Sequence, residues 1–201
     1  MTSPAPLDGD RLARQIAFVL EIDKLKRVLR QTLVTGGSRR ENTAEHSWHL
    51  AMMAIVLADL AAPGVDVGHV IKLLLVHDLV EIDAGDTFLY DRAAEADKAA
   101  RETAAAARLF ALLPADQAAA LDALWREFDG GTTAEAAFAR ALDQLQPVLL
   151  NHATDGGSWT AHGIEGADVL TRKRVIADGA PDLWRLAEQL IRDSIAKGWL
   201  R

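Results

Sequence analysis

A histidine and an aspartate stand side by side, His77-Asp78, in an apolar run over residues 70–80 whose only other charged residue is Lys72. Burying adjacent ionisable groups without a partner is costly, so the run needs something to pair them. A divalent cation does this most economically. His46 upstream and Asp143 downstream are the candidates to complete its shell, giving two imidazoles and two carboxylates. The chain has no cysteine, which removes disulfides and thiolate sites and leaves nitrogen and oxygen donors. Such a donor set accepts manganese, cobalt, iron, zinc, nickel or magnesium.

Glu81 lies four residues after His77 and three after Asp78, so a single helix would place all three on one face. Asp86 follows Gly85, whose freedom at positive φ permits a turn that aims the carboxylate back toward the pair. Hydrolysis of a metal-bound phosphate calls for two carboxylates, one to orient the attacking water and one to protonate the leaving oxygen. The plain alternative is a helix C-terminus with ordinary polar residues. Negative charge is unfavourable there, which weakens it. Residues 24–40 hold Lys24, Lys26, Arg27, Arg30, Arg39 and Arg40 with no acid among them. A dianionic phosphate could dock on them, an arginine giving two parallel hydrogen bonds. A solvated helix end that attracts cations is the competing account.

The elements that must position these residues read as helices. Alternating β-branched patterns are nearly absent, as are Asn-Gly and Asp-Gly hairpin signals, whereas helical periodicity runs throughout. The first helix is expected over 10–26, its apolar face bracketed by Leu12, Ile16, Val19, Leu20 and Ile22. Gly36-Gly37-Ser38 breaks the chain. Asn42-Thr43-Ala44-Glu45 then reads as a capping box opening the helix that carries His46 and His49 and ends at Pro63-Gly64. A third helix is expected over 66–82, stopping near Gly85. Alanine-rich helices follow over 93–113 and 115–128, then one over 133–151 kinked at Pro147. Residues 155–158 read as a loop, and the last helices cover 164–178 and 181–197. His49 sits one turn from His46 and is a weaker ligand candidate. His69 and His152 read as structural. No repeat or linker divides the chain, so one all-α domain is expected.

The motif set, His46, His77-Asp78 and Asp143 in that order, resembles the HD-domain metal-dependent phosphohydrolases. With Glu81, Gly85 and Asp86 it resembles their 5′-deoxynucleotidase branch over most of residues 12–152. The resemblance implies an HD-domain helical bundle over 1–201, with a metal-binding core over about 12–152 and C-terminal helices over about 160–198. It implies His46, His77, Asp78 and Asp143 as ligands of one ion, since the further histidines of bimetallic relatives are missing between Asp78 and Asp143. It implies Glu81 as the water-orienting group and Asp86 as the general acid. Residues 25–30 resemble the segment that ends in a phosphate-contacting arginine, making Arg30, with Lys26, the substrate-binding candidate. The substrate expected is a nucleoside 5′-monophosphate, and the assembly a homodimer. Gln31-Thr32-Leu33 stands where many relatives have a tryptophan, which leaves nucleotide selectivity open.

The formal net charge of −7 argues against general affinity for nucleic acid or anionic membranes. No segment reaches the length of an apolar membrane span, and residues 1–6 lack the pattern of a signal peptide, so a cytoplasmic setting is the default expectation. Two other functions fit the residues. One is a phosphodiesterase or pyrophosphohydrolase acting on another nucleotide. The other is a non-catalytic, metal-stabilised regulatory protein, which would have no use for Glu81 and Asp86.

Overall fold

The computed structural model describes residues 9–91 and 96–201. The elements are α1 (Gly9–Ile22), β1 (Leu29–Leu33), β2 (Arg40–Asn42), α2 (Thr43–Val56), α3 (Val67–Val76), α4 (Glu81–Ala84) and α5 (Lys98–Phe110), followed by α6 (Ala115–Gly130), α7 (Ala134–Ala153), α8 (Gly157–His162), α9 (Gly166–Lys173), α10 (Ile176–Gly179) and α11 (Pro181–Ala196). Helices make up the fold, as expected, and the hairpin is a small addition. Helix α7 is the central strut, with α2, α3, α6, α10 and α11 packed against it. Its apolar residues Phe138, Leu142 and Leu145 join Leu50, Leu73, Leu74, Trp159 and Ile176 in the main core. A second cluster under α1, α5 and α6 centres on Phe18, Leu109, Phe110 and Trp125. At Gly179 of α10 a Cβ would lie 2.0 Å from the Ala137 carbonyl oxygen of α7. Only glycine lets these two backbones approach so closely.

Several expected elements take a different form. Residues 29–42 form an antiparallel hairpin that the missing Asn-Gly signal concealed. The connection is a longer loop closed by Val34 N–H on the Arg39 carbonyl at 3.0 Å, with Gly36 and Gly37 at φ of 83° and 72°. Helix α1 stops at Ile22, and 23–27 tighten into a 3₁₀ turn. Its expected apolar face points outward, with Ile16 50%, Val19 56% and Leu20 68% exposed, while Phe18 is buried. The inward side instead carries Arg11, bonded to Asp116, and Gln15, bonded to Gln117. Helix α2 ends at Val56, short of Pro63, with a 3₁₀ turn after it.

The loop expected at 155–158 is entered by α8, whose first turn is held by Asn151 Oδ1 accepting from Ser158 N–H at 2.8 Å. The helix expected over 164–178 breaks into α9 and α10 through three-residue hydrogen bonds around Arg174. Helix α7 starts behind a Thr133 cap and runs through Pro147 to Ala153. The start expected at residue 93 lies outside the described residues.

Candidate active site

The capping box forms as read. Asn42 Oδ1 accepts from Glu45 N–H at 2.9 Å, and Glu45 accepts from Asn42 N–H at 3.2 Å. This fixes the entry of α2 and directs His46 inward, where it is fully buried. His46 Nε2 lies 3.0 Å from Asp143 Oδ1 of α7 and 3.9 Å from Asp78 Oδ2. Across from it, His77 Nδ1 stands 2.8 Å from the Leu74 carbonyl oxygen. That oxygen can only accept, so Nδ1 carries the hydrogen and Nε2 turns to the centre. His77 Nε2 is 3.0 Å from Asp78 Oδ2 and 3.8 Å from Asp143 Oδ1, yet it makes no well-aligned hydrogen bond. A buried imidazole nitrogen left without a bond beside two carboxylates, with His46 Nε2 on the same Asp143 oxygen, is an arrangement that a shared cation would complete. Ligand atoms of His46, His77 and Asp143 lie within 4.8 Å of one another.

The charges tell the same story. Burial opposes protonation of His77, but the Asp78 and Asp143 carboxylates override it and push its pKa up to about 10. Burial also works against the Asp143 carboxylate, and its contacts with both histidines hold it well below the usual range. The cluster therefore demands positive charge, and a divalent ion supplies it in place of protons. Nitrogen and oxygen donors buried at this spacing fit such an ion.

Helix α3 ends at Val76, earlier than expected, and the next bonds are shortened: Leu79 N–H to Val76, Glu81 N–H to Asp78 and Ile82 N–H to Leu79. A three-residue repeat superposes side chains at i and i+3, so Asp78 and Glu81 come out on the same side. Both face Arg30 Nη1, at 2.9 and 3.9 Å. Gly85, at φ 75° and ψ 156°, then turns the chain so that Asp86 Oδ1 comes within 3.6 Å of the same nitrogen. Burial raises the pKa of Glu81 well above the ordinary range, reinforced by the Asp78 charge, and raises that of Asp86 against the pull of Arg30. Thr43 Oγ1 donates to Glu81 Oε2 at 2.9 Å and fixes its orientation. Arg30 itself sits where the β1–β2 register is irregular. Bulges of this kind re-aim side chains beside active sites, and the Arg40 guanidinium bonds the Leu29 and Arg30 carbonyls there. The cavity between these groups measures about 120 Å³.

A family profile described as HD domain matches residues 22–184. The chain belongs to the HD-domain family. Human 5′-deoxynucleotidase HDDC2 is 32% identical over 148 residues, covering 73% of this chain and 71% of the relative. A crystal structure of a predicted metal-dependent phosphohydrolase from Magnetospirillum magnetotacticum superposes with a TM-score of 0.92 at 53% identity, over 97% of this chain and 98% of that one. The PH0347 protein of Pyrococcus horikoshii superposes at 0.65 with 25% identity, over 87% and 99%.

Of the candidate residues, this HD domain brings together His46, His77, Asp78, Asp143, Glu81, Asp86 and Arg30. Lys26 is the exception: it is exposed and paired with Asp23 within the 3₁₀ turn. Its neighbours are also engaged, Lys24 with Glu21 and Arg39 with Glu45. The acids that satisfy the basic stretch lie just outside it in sequence, which is why the stretch looked unpaired. His49 stays outside the cluster, its Nδ1 3.4 Å from Gln146 Nε2. His69 and His152 bond Glu127 and Asp193, each at 2.8 Å.

Two supports escaped the sequence reading. Buried Glu41 of β2 accepts from Gln146 Nε2 at 2.7 Å, and its other oxygen stands 3.6 Å from His46 Nδ1. Lys173 bonds Gln144 Oε1 at 2.9 Å, and Gln144 Nε2 donates to Asp143 Oδ2 at 2.8 Å. Lys173 and Lys98 join Arg30 in lining the pocket. A lone Glu before a capping box and a Lys far down the chain carry no spacing signal.

Proposed function

We propose that this HD domain is a metal-dependent phosphomonoesterase that releases phosphate from nucleoside 5′-monophosphates, deoxyribonucleotides among them. The observation that carries the reading is one arginine, Arg30, held over the metal-ligand cluster by Asp78, Glu81 and Asp86. A substrate phosphate replaces those acids as its partner. His46, His77, Asp78 and Asp143 would hold a single ion, manganese, cobalt, iron, zinc, nickel or magnesium. When bound, the ion supplies Lewis-acid activation of the phosphoryl group and of the attacking water. Glu81, oriented by Thr43, positions that water. As its oxygen bonds phosphorus, the bond from phosphorus to the 5′-oxygen breaks, and Asp86 gives its proton to the departing oxygen. The raised pKa of Asp86 fits that duty.

The 5′-deoxynucleotidase named among the relatives supports the substrate class. Lys98 and Lys173 favour a second reading, a pyrophosphohydrolase whose further phosphate they would meet. We also propose that the chain works as one domain, as a homodimer joined through the outward stripe of Leu12, Ile16, Val19 and Leu20, in the cytoplasm. Among the described residues no helix is long and apolar enough to cross a membrane.

The test is phosphate release from ribo- and deoxyribonucleoside mono- and diphosphates by metal-stripped protein with single ions added back, and Asp78→Ala as control. Release confined to 5′-monophosphates and lost in the control supports the nucleotidase. Cleavage of diphosphates alone supports the second reading. No release with metal bound would overturn both.

A further inference from the structure

Beside the catalytic pocket lies a second recess of about 540 Å³, and Gln31, Phe88 and Tyr90 line both. We infer that this recess is the nucleobase subsite, an inference that rests on the nucleotide reading above. Around the metal-ligand cluster the pocket is lined by Arg30, Asp78, Glu81, Asp86 and Asp143, which suit a phosphate, and its aromatic lining includes Phe88 and Tyr90, the two rings it shares with the recess. The Phe88 and His162 rings lie 4.7 Å apart at 43°, and the Tyr90 ring meets Phe88 edge-on at 5.2 Å. Ile164 adds an apolar side chain to the lining.

The recess also has a fixed place relative to the phosphate. Gln31 directly follows Arg30 on β1, and its Oε1 lies 3.2 Å from His162 Nε2 of α8. The strand that presents the phosphate-binding arginine is thereby tied to the aromatic wall. A ligand anchored at Arg30 and longer than a phosphate has this wall next in line. Stacking on aromatic faces tolerates any base, because every base has a π-face. With its Oε1 engaged by His162, the Gln31 amide offers its NH₂ as a donor to a base edge. The structure thus assigns breadth of base use to Phe88 and His162, and any bias to Gln31.

The test compares binding of two ligands that cannot be hydrolysed to the manganese-loaded protein: the 5′-phosphonate of 2′-deoxyadenosine and the same sugar phosphonate without its base. Base stacking predicts roughly a five- to hundredfold advantage for the first. Phe88→Ala and the surface variant His162→Ala should each shrink that ratio severalfold, and Phe88→Trp should preserve it. Equal binding of the two by the wild type, or an unchanged ratio in both alanine variants, would overturn the subsite. A full ratio without phosphate release from natural nucleotides would overturn the hydrolase reading and still support the subsite.

Discussion

Replacing Glu41 by glutamine should weaken metal binding by one to two orders of magnitude, although Glu41 is not among the proposed ligands. Its two oxygens face two donors: Gln146 Nε2 at 2.7 Å and His46 Nδ1 at 3.6 Å. A glutamine amide has one oxygen and one NH₂, so in either orientation one of those donors meets another donor. Either the Gln146 bond is lost, and β2 loosens, or His46 Nδ1 loses the carboxylate that faces it at 3.6 Å. Both residues concerned, His46 and Gln146, are fully buried. The Gln146 contact is a hydrogen bond to a charged group, which contributes about 1.5–3 kcal/mol. At about 1.4 kcal/mol per decade that is roughly ten- to a hundredfold, the range found when the carboxylate behind a ligand histidine is removed. The assay is manganese affinity by chelator competition at fixed pH, with Asp78→Ala as the ligand-loss reference. Affinity within twofold of wild type would show that Glu41 does not orient His46.

Glu81→Ala should lower kcat by about 10²–10⁴ with metal content intact by elemental analysis; unchanged turnover would remove its assigned role. Burial holds Lys173 near pKa 8, down from 10.5. The folded protein therefore bears the full cost of a buried ammonium below pH 8, about 3 kcal/mol, and sheds it as pH rises toward 10.5. Stability gained between pH 7 and 9.5 in urea titrations should flatten in Lys173→Met, and an identical pH response in both proteins would refute the assignment. Gly85→Ala meets no atom within 4 Å of the new Cβ, so its cost is backbone strain alone, about 1–3 kcal/mol. It should displace Asp86 and reduce kcat more than KM, which steady-state kinetics on the variant would check.

The chemistry was legible wherever it broke a local rule. A His-Asp pair among apolar residues, an acid at a helix C-terminus and a glycine before an aspartate each stood out, and the structure gathers Asp78, Glu81 and Asp86 into one pocket with His77 against Asp78. The helical character was legible for the same reason, since periodicity is a property of neighbours in sequence. What escaped depends on partners far along the chain. Glu41 looks like part of a capping segment until Gln146 arrives against it. Lys26 looked available because Asp23 lay one residue outside the basic stretch. The face of α1 was misread because a stripe of Leu12, Ile16, Val19 and Leu20 has the spacing of a core whether or not anything covers it. The hairpin was invisible because its strands are short, its register is irregular, and its loop is too long for the usual dipeptide signals.

A two-stranded hairpin is marginal by itself in water. The one here is clamped by Glu41 on Gln146, 105 residues away in sequence, and the histidine that follows it meets Asp143 across 97 residues. Contacts that close such long loops form late, because the entropy of closure is lost before the contact rewards it. The hairpin that carries Arg30 is therefore expected to gain its clamp only after α7 has docked, later than the local helices. Regained turnover during refolding should then lag the return of helical circular dichroism. A nascent chain that has not yet delivered residues 134–153 is helical but inert.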